Sequence, residues 1–207
     1  MNAYTRRLQV QGAAGAIEVL RDDPAQPNGG TAFIAHPHPL FGGTMENKVV
    51  QTLARAFVQE GWHAVRFNFR GVGASAGEHD EGRGEADDMT GLVQALAPEG
   101  PIALAGFSFG AYVAARVIES LWAAREVRKI VLVGTAASRF SVPALPAEAH
   151  ARALVVHGEE DDTVPLQAVL DWARPQTLPL TLVPGVGHFF HGQLPLLKNL
   201  VARHLRS

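Results

Sequence analysis

The sequence predicts an α/β protein, with a mostly parallel central sheet of about eight strands and helices on both faces. Three observations predict it. Short apolar runs bounded by glycine and proline alternate with longer segments whose apolar residues recur every three or four positions. Most of those runs lack polar alternation, the pattern of strands covered on both faces. The 207 residues suit one domain, 1–207, with a single substantial core.

The elements follow in order. Arg6 to Gln11 and Ala16 to Arg21 read as a hairpin around Gly12 and Gly15. Asp22 to Gly30 is a loop by its turn residues. TAFIAHP from Thr31 is a buried strand, and a helix spans about Asn47 to Glu60, with Val49, Val50, Leu53 and Phe57 on one face. WHAVRFNF is a strand, and a helix follows from about Glu85 to Ala97, with Asp87 and Asp88 in its first turn and Pro98 past its end. PIALAGF, VRKIVLVG, RALVVHG and LPLTLVPG are the remaining strands. Helices are expected at Gly110 to Leu121, Leu166 to Ala173 and Leu196 to Leu205. Repeated β-α units of this kind favour parallel pairing. No internal repeat, low-complexity stretch or splitting linker interrupts them.

Composition narrows the function. Hydrophobic residues are 47% and charged residues 18%, ordinary for a soluble globular chain. A net charge of -2 without blocks of like charge gives no support to nucleic acid or an anionic membrane as a partner. Cysteine is absent, which excludes disulfides, thiolate metal sites and a cysteine nucleophile. The first residues lack the apolar run of a leader, and no stretch approaches the roughly 20 apolar residues of a bilayer span. A soluble, cytoplasmic protein is expected. An arginine-dominated basic set and abundant alanine point to a bacterial source. Oligomeric state is not readable.

The sharpest chemical signal is Gly106-Phe107-Ser108-Phe109-Gly110, between a strand and a helix. G-x-S-x-G at such a turn is a nucleophile elbow: small flanks permit the sharp turn, and the helix N-terminus below favours negative charge on a bound oxygen. A bare G-x-S-x-G is common, so two further segments matter. His157-Gly158-Glu159-Glu160-Asp161-Asp162-Thr163-Val164-Pro165 follows a strand directly, and an acid there can reach a histidine of the next loop. Asp161 fits the spacing G-x-x-D-x-x-V, while Asp162 beside it stays open; Glu159 and Glu160 read as a solvated turn. Gly185-Val186-Gly187-His188 follows the last strand, and its glycines let His188 swing toward the serine. His191 reads as a surface or supporting residue. The order Ser108, Asp161, His188, each at a strand's C-terminal end, is that of a serine-histidine-acid triad.

With these residues in hand, the chain resembles the α/β-hydrolase superfamily, specifically its small bacterial members without a lid, over nearly its whole length. His36-Pro37-His38-Pro39-Leu40-Phe41-Gly42-Gly43-Thr44-Met45 and Asn68-Phe69-Arg70-Gly71-Val72-Gly73-Ala74-Ser75 resemble that group's loops after the third and fourth strands. It is similar also to dienelactone hydrolases, which carry cysteine where Ser108 stands, so a dienelactone substrate is not implied. A lid of that superfamily enters where only Thr135 to Ala151 lies here, too short for a cap domain.

The oxyanion donors are expected to be the Phe109 N–H and one from the loop after Ala35. Pro37 and Pro39 have no N–H, which leaves His38 or Leu40. The resemblance favours His38, at the x of H-G-x. Leu40, Phe41, Phe107, Phe140 and Phe189 are candidate substrate contacts. Arg70 is read as the anchor of an active-site rim loop and, secondarily, as a contact. Gly71 to Ala76 matches G-x-G-x-x-A but opens no helix, so no dinucleotide is expected. His36 and His38 lack a third ligand nearby, so neither metal nor cofactor is expected. The function anticipated is a serine esterase for a small-molecule substrate with a short acyl chain. A thioesterase or peptidase using the same triad is the alternative, and a non-catalytic ligand- or partner-binding relative is the rival from another class.

Overall fold

The computed structural model describes residues 5–207. The N-terminal hairpin pairs β1 (Thr5–Gly12) with β2 (Gly15–Asp22), and six strands follow: β3 (Thr31–Ala35), β4 (His63–Phe67), β5 (Ile102–Phe107), β6 (Val127–Val133), β7 (Ala153–Gly158) and β8 (Thr181–Val183). They form one eight-stranded sheet in the order β1-β2-β4-β3-β5-β6-β7-β8. The β1–β2 and β2–β4 pairs are antiparallel and the others parallel. The described residues therefore form the mostly parallel eight-stranded sheet that the sequence predicts, and no cap domain interrupts them.

Five helices cover the faces: α1 (Lys48–Gln59), α2 (Arg83–Leu96), α3 (Phe109–Leu121), α4 (Leu166–Ala173) and α5 (Leu194–Arg206). Alternation along the strands sorts the core into two layers. Phe33, Val65, Phe67, Leu104 and Ile130 pack with α2 and α3. Ala32, Ile34, Ala64, Ala103 and Val131 pack with α1 and α5. No described helix is long and apolar enough to cross a membrane.

The differences from expectation lie at element ends. α2 begins at Arg83, two residues before the expected Glu85, because the buried Glu85 carboxylate reaches back to accept the Gly82 N–H at 2.8 Å. Glu85 therefore closes the first turn from inside it. β8 keeps only three residues of LPLTLVPG, since it pairs only with β7. The hairpin is fastened to β4 by a buried ion pair, in which Arg66 donates to Asp22 Oδ2 through Nε at 3.0 Å and Nη2 at 2.8 Å.

Candidate active site

The site forms where β5, β7 and β8 end. Ser108 occupies the turn between β5 and α3 at φ 57° and ψ -117°, a left-handed conformation costly for a residue with a Cβ. Its N–H donates to the Val133 carbonyl of β6 at 2.8 Å, which fixes the turn against the neighbouring strand. The turn closes this tightly because two glycines flank it. A Cβ on Gly106 would lie 2.1 Å from the Gly110 carbonyl oxygen, and one on Gly110 would lie 2.2 Å from that of Ala35.

His188 hangs from the loop after β8, and Asp161 from the loop after β7. Backbone bonds stitch these loops together: Glu159 N–H to Val183 O at 3.0 Å and Glu160 N–H to Val186 O at 3.0 Å. The Glu159 carboxylate adds a bond from the Gly185 N–H at 3.0 Å, so this residue, read as a solvated turn residue, also ties the loops. The His188 ring lies against Phe107, 4.8 Å between centroids, and meets Phe189 edge-on at 5.0 Å. Gly134 (φ 55°) passes so close that a Cβ there would sit 3.1 Å from His188 Cε1.

These elements bring Ser108, His188 and Asp161 into one hydrogen-bonded chain. His188 Nε2 is 3.0 Å from Ser108 Oγ, and Nδ1 is 2.6 Å from Asp161 Oδ2. A carboxylate only accepts, so Nδ1 carries the imidazole proton and Nε2 is left to accept from the serine hydroxyl. Asp161 Oδ1 accepts the N–H groups of Thr163 at 3.0 Å and Val164 at 2.7 Å, which fixes the carboxylate's orientation. Asp162 points to solvent and bonds Thr163 Oγ1 at 3.3 Å, outside this chain. The neighbour left open by spacing is thus separated from Asp161 by geometry.

Above Ser108 opens a cleft of about 290 Å³, lined among others by His38, Phe41, Arg139, His188 and Phe189. Among the described residues, the backbone N–H groups of Phe109 and His38 have no hydrogen-bond partner, whereas the Leu40 N–H is taken by His38 Nδ1 at 3.3 Å. A larger hollow of about 420 Å³ on α1 and α5, floored by Asp22 and Arg66, contains none of these side chains.

Several expected contacts lie elsewhere. Arg70 donates Nε and Nη2 to Asp88 at 2.8 and 2.9 Å and Nη2 to the Gly84 carbonyl at 2.8 Å, and it is not in the cleft's lining. Phe107 is fully buried beneath His188. Phe140 stacks on Tyr112 at 4.7 Å and is not in the cleft's lining, although its ring lies 6.0 Å from that of His38, which is. Leu40 is exposed on the 3-10 turn Pro39–Phe41, outside the lining. The loop 71–77 is not a rim of the cleft. Glu18 of the hairpin holds it, accepting from Asn68 Nδ2 at 2.8 Å and the Ala74 N–H at 3.0 Å. From that region only His79 approaches, its ring 4.8 Å from that of His38 and its Nδ1 2.7 Å from Glu85 Oε1.

His36 cannot pair with His38 on a ligand. It is fully buried, its Nε2 accepts the Phe69 N–H at 3.0 Å and its Nδ1 meets the Pro37 carbonyl at 2.6 Å. Burial pushes its pKa down to about 4. Burial likewise lowers the pKa of His157, whose Nε2 lies 3.0 Å from the Val164 carbonyl and 3.7 Å from Asp161 Oδ2. Sequence reasoning missed His157 as a neighbour of the acid; a lone polar residue within the apolar run RALVVHG was the available signal. It also missed Arg139 and Asn47 in the cleft lining, because nothing in sequence marks which part of a loop folds toward a distant strand end.

Comparison with known proteins gives the family and the fold. A family model described as serine aminopeptidase, S33, matches residues 40–145, half of the chain, including Ser108 but stopping short of Asp161 and His188. A lidless α/β serine hydrolase from Xanthomonas campestris is 36% identical with a TM-score of 0.87, covering 100% of this chain and 95% of that one.

The chain belongs to the α/β-hydrolase superfamily.

An α/β serine hydrolase homologue from Coxiella burnetii is also 36% identical, with a TM-score of 0.85 over 99% of this chain and 98% of that one. An uncharacterized protein of Rickettsia prowazekii is 38% identical over 116 residues, 54% of this chain. The chain spans about half the length of that curated relative, at 49%. Among the described residues of this α/β-hydrolase, no cap domain lies over the cleft above Ser108.

Proposed function

We propose that this α/β serine hydrolase cleaves carboxylic esters with short acyl chains, with Ser108 as nucleophile, His188 as base and Asp161 as the acid that orients it. The observation that carries the reading is the unbroken chain from Ser108 Oγ through His188 to Asp161, at the floor of an open cleft. His188 Nε2 takes the hydroxyl proton as Ser108 Oγ bonds to the acyl carbon. The carbonyl oxygen becomes negative and is held by the Phe109 and His38 N–H groups, whose lack of internal partners suits them to the task. His188 passes the proton to the leaving alcohol, and the C–O bond breaks to give the acyl-enzyme. Water, deprotonated by His188, then releases the acid and restores Ser108. Asp161 accepts from Nδ1 throughout and stabilises the imidazolium.

Acyl length follows from volume: a cleft of about 290 Å³ without a cap gives a long chain little surface to bury. A second reading, a peptidase, draws on the family model's description. A panel of p-nitrophenyl acetate, butyrate and decanoate beside aminoacyl p-nitroanilides separates the two. Faster turnover of the short esters, with turnover and fluorophosphonate labelling both lost in Ser108→Ala, is the expected result. Full activity in Ser108→Ala would overturn the assignment. Anilide cleavage exceeding ester cleavage would favour the peptidase.

A further inference from the structure

We infer that the cleft selects acyl substrates bearing a negative charge, with Arg139 as the group that recognises it; this rests on the hydrolase reading above. Many arginines of this chain are committed to carboxylates: Arg66 to Asp22, Arg70 to Asp88, Arg128 to Glu126 and Arg206 to Glu60. Arg139 is not. Among the described residues it has no ion pair and no side-chain hydrogen bond, and its guanidinium lies over the Phe41 ring at 5.6 Å. That contact leaves the guanidinium N–H donors free at the edge of the cleft that Ser108 and His188 share.

No acidic side chain lines that cleft to cancel the charge. The two acids buried behind it are already engaged. Asp161 bonds His188, Thr163 and Val164, while Glu85 bonds His79, Asp80 and Gly82. Arg139 also acts on its surroundings: after burial and His79, it is the next cause holding the His38 imidazole below its usual pKa. An unpaired guanidinium, the unpartnered N–H groups of Phe109 and His38 and the N-terminus of α3 therefore present positive charge and donors on the Ser108 side, while the exposed carboxylates of Glu160 and Asp162 lie in the adjoining hollow beyond His188 and Phe189. A carboxylate a few bonds from the scissile carbonyl meets a planar, charge-assisted donor suited to it.

Matched ester pairs test this. Phenyl hydrogen adipate against phenyl hexanoate places the charge on the acyl side; 4-acetoxybenzoate against 4-acetoxybenzamide places it on the leaving group. In the wild-type protein the anionic member of at least one pair is expected to have the higher kcat/KM, by about threefold or more for a solvent-accessible pair. The ratio should shrink as ionic strength rises. It should fall toward one in Arg139→Gln, invert in Arg139→Glu and return in Arg139→Lys. A wild type that hydrolyses both members of both pairs equally, or a ratio that Arg139→Glu leaves unchanged, overturns the inference while the esterase reading stands. Failure to hydrolyse any of the four esters would instead count against the esterase reading.

Discussion

At the residue scale, the distinction that matters most is between two adjacent aspartates. Asp161 is buried, holds His188 Nδ1 at 2.6 Å and is itself fixed by two backbone N–H groups. Asp162 is exposed and bonds only its neighbour's hydroxyl among the described residues. Asp161→Asn keeps the shape but offers an amide N–H where only an acceptor fits, which drives His188 toward the wrong tautomer. That variant should lose about 10⁴-fold in kcat, the scale of the same change in another serine hydrolase. Asp162→Asn should stay within about twofold, as exposed substitutions away from a network do. Steady-state kinetics on p-nitrophenyl butyrate decide it, and comparable losses in the two variants would contradict the geometry.

At the scale of the element, the β5–α3 turn holds Ser108 in a strained conformation. Ser108 at φ 57° costs about 1–3 kcal/mol, held by Gly106 and Gly110 on either side and by the bond to Val133. Replacing Ser108 by glycine or alanine removes the hydroxyl in both cases, but only glycine relieves the backbone. Ser108→Gly should therefore be more stable than Ser108→Ala by about 1 kcal/mol in chemical denaturation, with both inactive. Equal stabilities would mean that the turn is not strained. The same turn explains why G-x-S-x-G was informative beyond its letters: each glycine answers a close approach that any Cβ would block.

For the whole molecule, buried histidines couple stability to acid. His36 sits within the core behind the oxyanion loop, and burial lowers its pKa from 6.5 to about 4. Once unfolded, it takes up a proton near 6.5, so between these values the unfolded chain binds more protons than the folded one. Stability is therefore complete above about pH 6.5 and is lost as pH falls toward 4, by up to about 3 kcal/mol from this residue. His157, lowered in the same direction by its own burial, adds to that slope. Urea midpoints at about pH 7 and about pH 4.5 should differ accordingly, and a midpoint independent of pH across that window would contradict the account.

The sequence by itself determined the element order, because apolar period and glycine-proline punctuation are local properties. It also determined the chemical types at the strand ends: Ser108 in a turn that only small flanks permit, an acid after β7 and His188 after β8. Only the tertiary structure decided which acid meets the histidine, that Arg70 pairs with Asp88 while Arg139 lines the cleft shared with Ser108, and that His157 backs Asp161. The physical reason is range. A turn or a helix face is set by neighbours within a few residues. Pairing charges and aiming side chains into a cleft depends on loops separated by tens of residues, whose positions are fixed only once the sheet closes its register and the core packs on both faces.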